Sequence, residues 1–101
     1  MNTDQCVALR DVVIERERQD AKWGEQNHDP FLYLNVLMEE VGECSQAALQ
    51  ARFEGGDESR IREEAVQVAA VALAIVECLD RKKWRWANPP PQEDLGSSAK
   101  I

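Results

Sequence analysis

Apolar residues recur at helical spacing in three stretches of the chain, which predicts three helices. In the first stretch, residues 5–22, Cys6, Leu9 and Val13 repeat at intervals of three or four positions among charged residues. The run Glu15-Arg16-Glu17-Arg18 is interpreted as a solvated face with local ion pairs. Strand alternation and hairpin signals are lacking in the sequence. We therefore predict an all-α fold, an antiparallel bundle of three long helices with a short C-terminal segment.

The second helix, residues 31–53, has clear boundaries and two different faces. Asp29-Pro30 is a start signal, with Asp as N-cap and Pro at the first helical position, and Gly55-Gly56 is a stop signal. At 100° per residue, one apolar stripe, which we expect to face the core, contains Leu34, Leu37, Val41 and Ala48. Glu40 and Glu43 lie on a second line between Val36 and Ala47, whereas Glu39 lies among polar side chains.

The third helix is predicted from a cap at Asp57 or Ser59 to about Lys83. It is apolar almost all round between residues 65 and 76, so it should be the most buried element. A side open to solvent is predicted at Arg62, Glu77 and Asp80. Glu64 and Gln67 are elsewhere, on a line of apolar residues, and so repeat the paired polar groups of the second helix.

The composition changes after the third helix. Trp84-Arg85-Trp86 either continues the helix or folds back over the bundle, and residues 88–91, Asn-Pro-Pro-Pro, favour polyproline II. We therefore predict a single all-α domain at residues 1–86 and a Pro-rich, loosely ordered tail at residues 87–101. A bundle of this length with one helix apolar on all sides should need a second subunit to cover it.

Charge and cysteine content narrow the class of protein. The net charge of −7 argues against a nucleic-acid polymer or an anionic membrane surface as partner. The longest apolar run has nine residues, Val68–Val76, too few to span a bilayer.

Three scattered cysteines (Cys6, Cys44 and Cys78) suit a reducing compartment, with each thiol a small core filler. The start of the chain has no signal-peptide pattern. We therefore expect a cytoplasmic protein.

The pairs Glu40-x-x-Glu43 and Glu64-x-x-Gln67 form the candidate site. A spacing of three places both members of a pair on one helix face, and the Gly-Gly turn makes the two helices antiparallel neighbours, so the pairs can meet. Oxygen ligands of this kind suit Mg²⁺ or Mn²⁺. Gly42, which costs about 1 kcal/mol in a helix relative to Ala, suggests close helix–helix approach beside the acids. The alternative for the acids is plain solvent exposure.

These motifs resemble the MazG-like, all-α nucleoside triphosphate pyrophosphohydrolases, whose signature is E-E-x-x-E followed by E-x-x-D. Glu39-Glu40-Val41-Gly42-Glu43 matches the first half, and Glu64-Ala65-Val66-Gln67 stands where the second belongs. The segment Lys22 to His28 also looks like the approach to the acidic helix in several members. The resemblance covers roughly residues 14–80.

The resemblance implies Mg²⁺-dependent hydrolysis of a (deoxy)nucleoside triphosphate to the monophosphate and pyrophosphate, by a homodimer or a dimer of dimers. Metal ions held by Glu40, Glu43 and Glu64 would neutralise the triphosphate and activate a water for in-line attack. Glu39 is the candidate to orient or deprotonate that water. Gln67 stands where the family places Asp as fourth ligand. The carbonyl of a glutamine can still coordinate a hard cation, more weakly than a carboxylate. Three alternatives follow: fewer metals bind, Glu63 or a water compensates, or the protein is a degenerate binder. A subgroup with altered metal geometry is favoured, since Glu40, Glu43 and Glu64 are all in place.

The predicted substrate-binding residues have structural alternatives. Lys22 and Trp23 can bind phosphate and stack on a base, or be a helix-end lysine and a core tryptophan. Asn27 and His28 belong to the same segment, and His28 either contacts substrate or makes a local hydrogen bond. A di-iron bundle, which needs Glu-x-x-His pairs, is disfavoured because the lone His28 lies on a predicted loop. A non-catalytic helical interaction module is the remaining rival to the enzyme.

Overall fold

A computed structural model describes residues 1–87, and all regular secondary structure in that range is helical. The helices are α1 (Thr3–Trp23), α2 (Pro30–Phe53) and α3 (Ser59–Arg81). The all-α prediction is confirmed for this part of the chain. The predictions for the Asn-Pro-Pro-Pro segment and the tail after it lie outside the described residues.

The ends of α1 and α2 follow from local hydrogen bonding. Asn2 and Gln5 form a reciprocal capping box, which starts α1 two residues earlier than predicted. The Asp29 carboxylate accepts from the Leu32 amide at 2.9 Å, as expected of an N-cap. At the other end of α2, Gly55 has a φ of 72° and the next amide donates to the Gln50 carbonyl at 2.9 Å. Both predicted boundaries of α2 are thus confirmed.

The ends of α3 are partly as predicted. The side chain of Asp57 accepts from the Ser59 amide at 2.9 Å and supports the first turn. The helix ends at Arg81, because Lys82 adopts a left-handed φ of 58°. The chain then folds back: Trp84 packs against the core, and the Ala87 amide donates to Asp29 at 3.2 Å. The fold-back alternative for this segment is therefore confirmed.

Helix α3 is central, with α1 and α2 packed against it and no direct backbone contact between α1 and α2. Cys44 of α2 contacts Ile61 at the start of α3, and His28, just before α2, contacts Cys78 near its end. Helices α2 and α3 are therefore antiparallel, as predicted. The two helix pairs leave a cleft above α3 between α1 and α2.

The core is small and lies mostly on α3. Its buried members are Tyr33, Val71, Ala74, Ile75 and Cys78, with Val36, Leu37 and Trp84 partly buried around them. Helix α3 has more buried residues than either α1 or α2, which agrees with the prediction that it is the most buried element. The thiols differ: Cys78 is buried, but Cys6 is exposed, so its predicted role as core filler is wrong.

The predicted core-facing stripe of α2 faces the core only in part, through Leu37. Leu34 and Val41 are exposed, and the side that meets α3 is the one carrying Tyr33, Glu40 and Ala47. The apolar stripe continues onto α3 as a groove lined by Val41, Cys44, Ser45, Ala48, Ile61, Ala65 and Val68. We call this groove, together with the exposed Leu34, Met38 and Leu49, the α2–α3 apolar face. Glu40 thus lies on the side of α2 that meets α3, whereas much of the apolar stripe lies on the outer side.

Helix α1 also packs against α3 with polar side chains, while most of its apolar side chains are exposed. Glu15, Arg16 and Gln19, each 8% exposed, lie against α3, whereas Leu9 and Val13 are exposed. The interpretation of residues 15–18 as a solvated face is therefore wrong for residues 15 and 16. The side of α3 expected to be open to solvent is instead partly covered by α1, through Arg62–Asp11 at 2.9 Å and Arg16–Glu77 at 2.7 Å. The docking of α1 is polar.

The arrangement is more open than a compact monomer. The radius of gyration is 16.4 Å, against about 13 Å for a compact domain of roughly 100 residues. Gly42 has nothing within 4 Å of where a Cβ would stand, so the close helix approach predicted there is absent from the described chain. Within residues 1–87, every helix is too short or too polar to traverse a lipid bilayer.

Candidate metal centre

Three carboxylates predicted as metal ligands come together at the interface of α2 and α3. One carboxylate oxygen from each of Glu40, Glu43 and Glu64 lies within 4.8 Å of the other two. Glu40 and Glu43 are one turn apart on α2, and Glu64 reaches them from the first half of α3 because the helices are antiparallel. The spacing in sequence and the turn between the helices thus produce the predicted convergence.

Glu64 carries a carboxylate oxygen that has no partner in the described chain. Its Oε2 atom contacts Arg60 at 3.5 Å, while Oε1 is fully buried without a hydrogen bond. A buried, unpaired polar atom costs about 1–3 kcal/mol, and more when the group is charged. Since the side chain is only 16% exposed, solvent gives little relief. A bound cation would give this carboxylate a partner, and the Glu64 side chain already lies beside two further carboxylates.

The pKa of Glu40 also indicates that a cation would stabilise this group of carboxylates. Burial raises the pKa of Glu40 above its ordinary value of 4.5, and repulsion from Glu43 and Glu64 adds to this increase. A hydrogen bond between Glu40 and Glu43 also raises the pKa of Glu40, because it forms only when Glu40 is protonated. A divalent cation among the three would replace repulsion by attraction. Hard oxygen donors of this kind fit Mg²⁺ or Mn²⁺.

Gln67, the predicted fourth ligand, lies one turn after Glu64. It lines a small cavity together with Glu40 and also lines an open groove together with Glu64. Its position therefore suits a neutral fourth oxygen beside the three carboxylates. Glu63, the predicted substitute, is exposed and lines the open groove.

Helix α1 supplies a wall of this site that sequence reasoning missed. Glu15 is held by both nitrogens of the Arg18 fork, at 2.6 and 2.9 Å, and lines the open groove with Glu64 and Gln67. Arg16 pairs with Glu77 and Asp20, and lines the small cavity. The signal was present in the sequence: Glu15, Arg16 and Gln19 share one side of the helix, but their polarity was interpreted as solvent exposure.

The small cavity lies between the acids and the α1–α2 loop. Its volume is about 90 Å³, enough for a few water molecules and too small for a nucleobase. Trp23 lines it and is still 52% exposed, so the predicted core role of this ring is wrong. Lys22 places its ammonium 4.8 Å from the centre of the Trp23 ring. These two residues form a cation–π pair at the rim of the cavity.

The other two predicted substrate-binding residues hold the loop in place. Asn27 accepts from Arg81 at 3.0 Å and donates to Glu25 at 3.0 Å. His28 packs edge to face on Tyr33, with ring centroids 5.0 Å apart, and its carbonyl accepts from the Cys78 thiol at 3.5 Å. The local-contact alternative for His28 thus has a structural counterpart. Contact of either residue with substrate stays a prediction.

The remaining site residue, Glu39, stands outside the group of three. It is exposed on α2, away from the side that meets α3, as its position on the helical wheel predicted. Its role in orienting or deprotonating a water stays a prediction.

Comparison of the chain with protein-family models, curated proteins and solved structures found no match. The site must therefore be interpreted from its own geometry.

Proposed function

We propose that this chain is a metal-dependent nucleoside triphosphate pyrophosphohydrolase of the MazG-like kind, in which Glu40, Glu43 and Glu64 hold Mg²⁺ or Mn²⁺. The proposal is supported by the convergence of one carboxylate oxygen from each of the three residues within 4.8 Å, together with a buried oxygen of Glu64 that has no partner in the described chain. Three converging anions destabilise the fold unless the site binds a cation. Their E-x-x-E and E-x-x-Q spacing is what the resemblance rests on. The proposed products are a nucleoside monophosphate and pyrophosphate.

Each residue of the proposed site has a separate role in the hydrolysis. The bound cation supplies charge neutralisation for the triphosphate and activation of the attacking water. Glu40, Glu43 and Glu64 hold it, and Gln67 offers a fourth, neutral oxygen. Glu39 is the proposed water-orienting residue. Such a role requires it to reach the attacking water, so Glu39→Gln should lower turnover while leaving Mn²⁺ affinity unchanged.

The open groove beside the acids is the proposed path for the triphosphate. Its volume is about 420 Å³, within the range of small-molecule sites. Arg62 lies along it, exposed and paired with Asp11, and can contribute positive charge to an anionic ligand. The base would lie outside the small cavity, where the half-exposed Trp23 offers a flat face. Lys22 beside this ring is placed to meet a phosphate.

We further propose that a second copy of the chain covers the α2–α3 apolar face, giving a homodimer. The face contains no charged residue among its ten defining positions, so two copies can meet without like-charge conflict. Met38, 62% exposed, belongs to the α2–α3 apolar face. Met38→Glu should therefore yield monomers in light scattering after size exclusion, whereas Val7→Glu on α1 should leave the dimer intact. A monomeric wild-type chain contradicts this assembly.

The function is tested with a panel of ribo- and deoxynucleoside triphosphates, Mg²⁺ or Mn²⁺, and an assay for released pyrophosphate. Wild type should turn over at least one nucleotide, and Glu43→Gln should reduce both turnover and Mn²⁺ affinity. Glu54→Gln, the same change eleven residues along the chain near the end of α2, is the matched control and should change neither. If no nucleotide is hydrolysed and Glu43→Gln leaves metal binding unchanged, the enzyme proposal is lost.

A non-catalytic interaction module is the second candidate. The exposed apolar face and the neutral Gln67 favour it, because both are expected of a chain kept for assembly. Its signature is a stable dimer that binds Mn²⁺ weakly or not at all and hydrolyses no nucleotide of the panel.

A further inference from the structure

We propose that the N-terminal part of α1, residues 3–14, is a lid on the open groove, and that the Asp11–Arg62 ion pair holds this lid closed. When the lid lifts, Arg62 loses Asp11 and becomes able to pair with an anionic ligand in the groove. The role of the lid in admitting a triphosphate rests on the proposed function, whereas the opening itself rests only on the contacts between α1 and α3.

Helix α1 is attached to the rest of the described chain almost without apolar packing. No α1 side chain belongs to the apolar core of the described residues, and Val12 is the one apolar residue of α1 that is even partly buried. Residues 3–10 are all exposed, and α1 has no direct backbone contact with α2. Because segments with few buried apolar contacts open at low free-energy cost, α1 should open more readily than α2 or α3.

Two sets of ion pairs hold α1 on α3, and they differ in strength. Nearer the loop to α2, the Arg16 guanidinium donates two hydrogen bonds to Glu77, at 2.7 and 3.2 Å, and the Arg16 side chain is only 10% exposed. A bidentate pair of this kind is strong. The Arg62–Asp11 pair is a contact of 2.9 Å between side chains that are 58% and 26% exposed, and exposed pairs contribute little. The lid therefore opens first at Asp11, with Arg16 as the pivot.

Opening does not leave Asp11 without a partner. Its carboxylate also accepts from Arg10, the preceding residue of α1, at 3.2 Å, so it stays paired when the lid lifts. Arg62 belongs to α3, and its guanidinium becomes available in the groove that it lines. An anionic ligand that pairs with Arg62 therefore competes with Asp11 and shifts the chain toward the open state.

The lid forms part of the wall of the open groove. Asp11, Ile14 and Glu15 line the groove from α1, and the first half of α3, including Glu64, lines it from the other side. Lifting the lid removes the part of the wall formed by Asp11 and Ile14. At 1.5 Å per residue the lid is about 18 Å long, so a small rotation at Arg16 is enough to widen the way to Glu64.

The test is hydrogen–deuterium exchange of the full chain, followed by mass spectrometry of peptides from the three helices. A helical stretch as short as the lid is marginal in water without tertiary support, so opening should speed exchange of its amides. In wild type, residues 3–14 should exchange faster than residues 65–78 of α3. Salt at about 1 M, where the Debye length falls to about 3 Å, should accelerate exchange in the lid and leave α3 unchanged.

Charge variants identify the contact that closes the lid. Asp11→Asn should raise the exchange rate of the lid about 1.5- to 5-fold, the range expected for an exposed ion pair. Asp11→Arg and Arg62→Asp should each raise it, and the two together should bring it back toward the wild-type rate, because the pair forms again with its charges reversed. Glu17→Gln, at an exposed position on the same helix, is the matched control and should change nothing. The lid is overturned if residues 3–14 exchange no faster than α3, or if the double variant exchanges as fast as the faster single variant.

The role of the lid is tested with inorganic tripolyphosphate and Mg²⁺ in titration calorimetry. Asp11→Asn should bind tripolyphosphate more tightly than wild type, again by about 1.5- to 5-fold, because Arg62 is then available, and Glu17→Gln should bind it as wild type does. Equal, measurable affinities of wild type and Asp11→Asn contradict the competition between Asp11 and the ligand. If neither chain binds tripolyphosphate while the exchange results hold, the proposed function fails and the lid stands.

Discussion

Replacing Glu40 by Gln should stabilise the metal-free chain and at the same time weaken its binding of Mg²⁺ or Mn²⁺. Glu40 is partly buried and faces two further carboxylates within 4.8 Å. The variant keeps the shape of the side chain and removes one of three mutually repelling charges. A residue kept for stability would show the opposite effect, so the sign of the change separates a functional site from a structural one.

The size of the effect follows from Coulomb's law. Two like charges 4.8 Å apart repel by about 1 kcal/mol at the dielectric constant of water and by about 3.5 kcal/mol at an effective value of 20. Glu43 is exposed, which places its contribution near the lower figure. We therefore expect Glu40→Gln to raise the free energy of unfolding by about 1–2 kcal/mol. For a domain of this size, 1 kcal/mol corresponds to roughly 4–8 °C in Tm.

The effect should also depend on pH in a defined direction. The pKa of Glu40 is raised above its ordinary value of 4.5, mainly by burial. Between the unfolded and folded pKa values the folded chain binds more protons, so its stability falls as pH rises through this interval. The Glu40→Gln variant does not lose stability in this way, because it has no carboxyl group at position 40 to ionise. Its advantage over wild type should therefore be absent below the unfolded pKa, grow with pH, and level off above the folded pKa.

The assay is thermal unfolding followed by circular dichroism from pH 4 to 8, with a chelator and then with Mg²⁺. In chelator Glu40→Gln should melt above wild type, and Glu54→Gln should melt with wild type. Adding Mg²⁺ at a hundredfold excess over Kd should stabilise wild type by about 2.7 kcal/mol and the variant far less. The reasoning is refuted if the variant melts lower in chelator and gains as much from Mg²⁺ as wild type does.

Other changes probe the fold. Gly42→Ala should raise stability by about 0.5–1 kcal/mol in denaturant titrations, because the position is helical and open; a loss would place a packed neighbour there. Asp29→Ala should lower stability by about 1 kcal/mol in the same titrations, since α2 loses its N-cap. Ala70→Leu, at a fully buried position, should cost about 1–3 kcal/mol in chemical denaturation. Cys6 should react with a thiol reagent at once and Cys78 only on unfolding, as timed by mass spectrometry.

Helix boundaries and the meeting of the acids were predictable because both depend on local rules. Asp29 and the Gly-Gly turn act on their immediate neighbours, and a spacing of three fixes a shared face wherever the helix packs. Which face of α2 meets α3 is not local. Helix α2 has an apolar line through Leu34 and an acidic line through Glu40, and hydrophobicity alone favoured the first. In the structure, the line through Glu40 is the one that meets α3.

The burial of polar residues on α1 has the same origin. Glu15 and Arg16 cost free energy to bury unless each is paired, and the pairs lie partly on another helix: Arg16 reaches Glu77, sixty-one residues away. Periodicity cannot show a partner at that separation. The sequence does show that the helices carry more apolar residues than one small core can bury, and that charged residues occupy the other helix faces.

These two inversions are connected. Apolar docking of α1 onto α3 would line the cleft between α1 and α2 with side chains that cannot solvate an ion. Polar docking keeps the wall of the cleft hydrogen-bonded, through Arg16 and Glu15, and leaves the carboxylates of α2 and α3 open to ions. Much of the apolar stripe of α2 is then exposed, and in the proposed homodimer a second copy of the chain covers it. Under this proposal, the polar docking of α1 and the apolar outer face of α2 are one arrangement, in which the dimer interface supplies the apolar burial that the interior lacks.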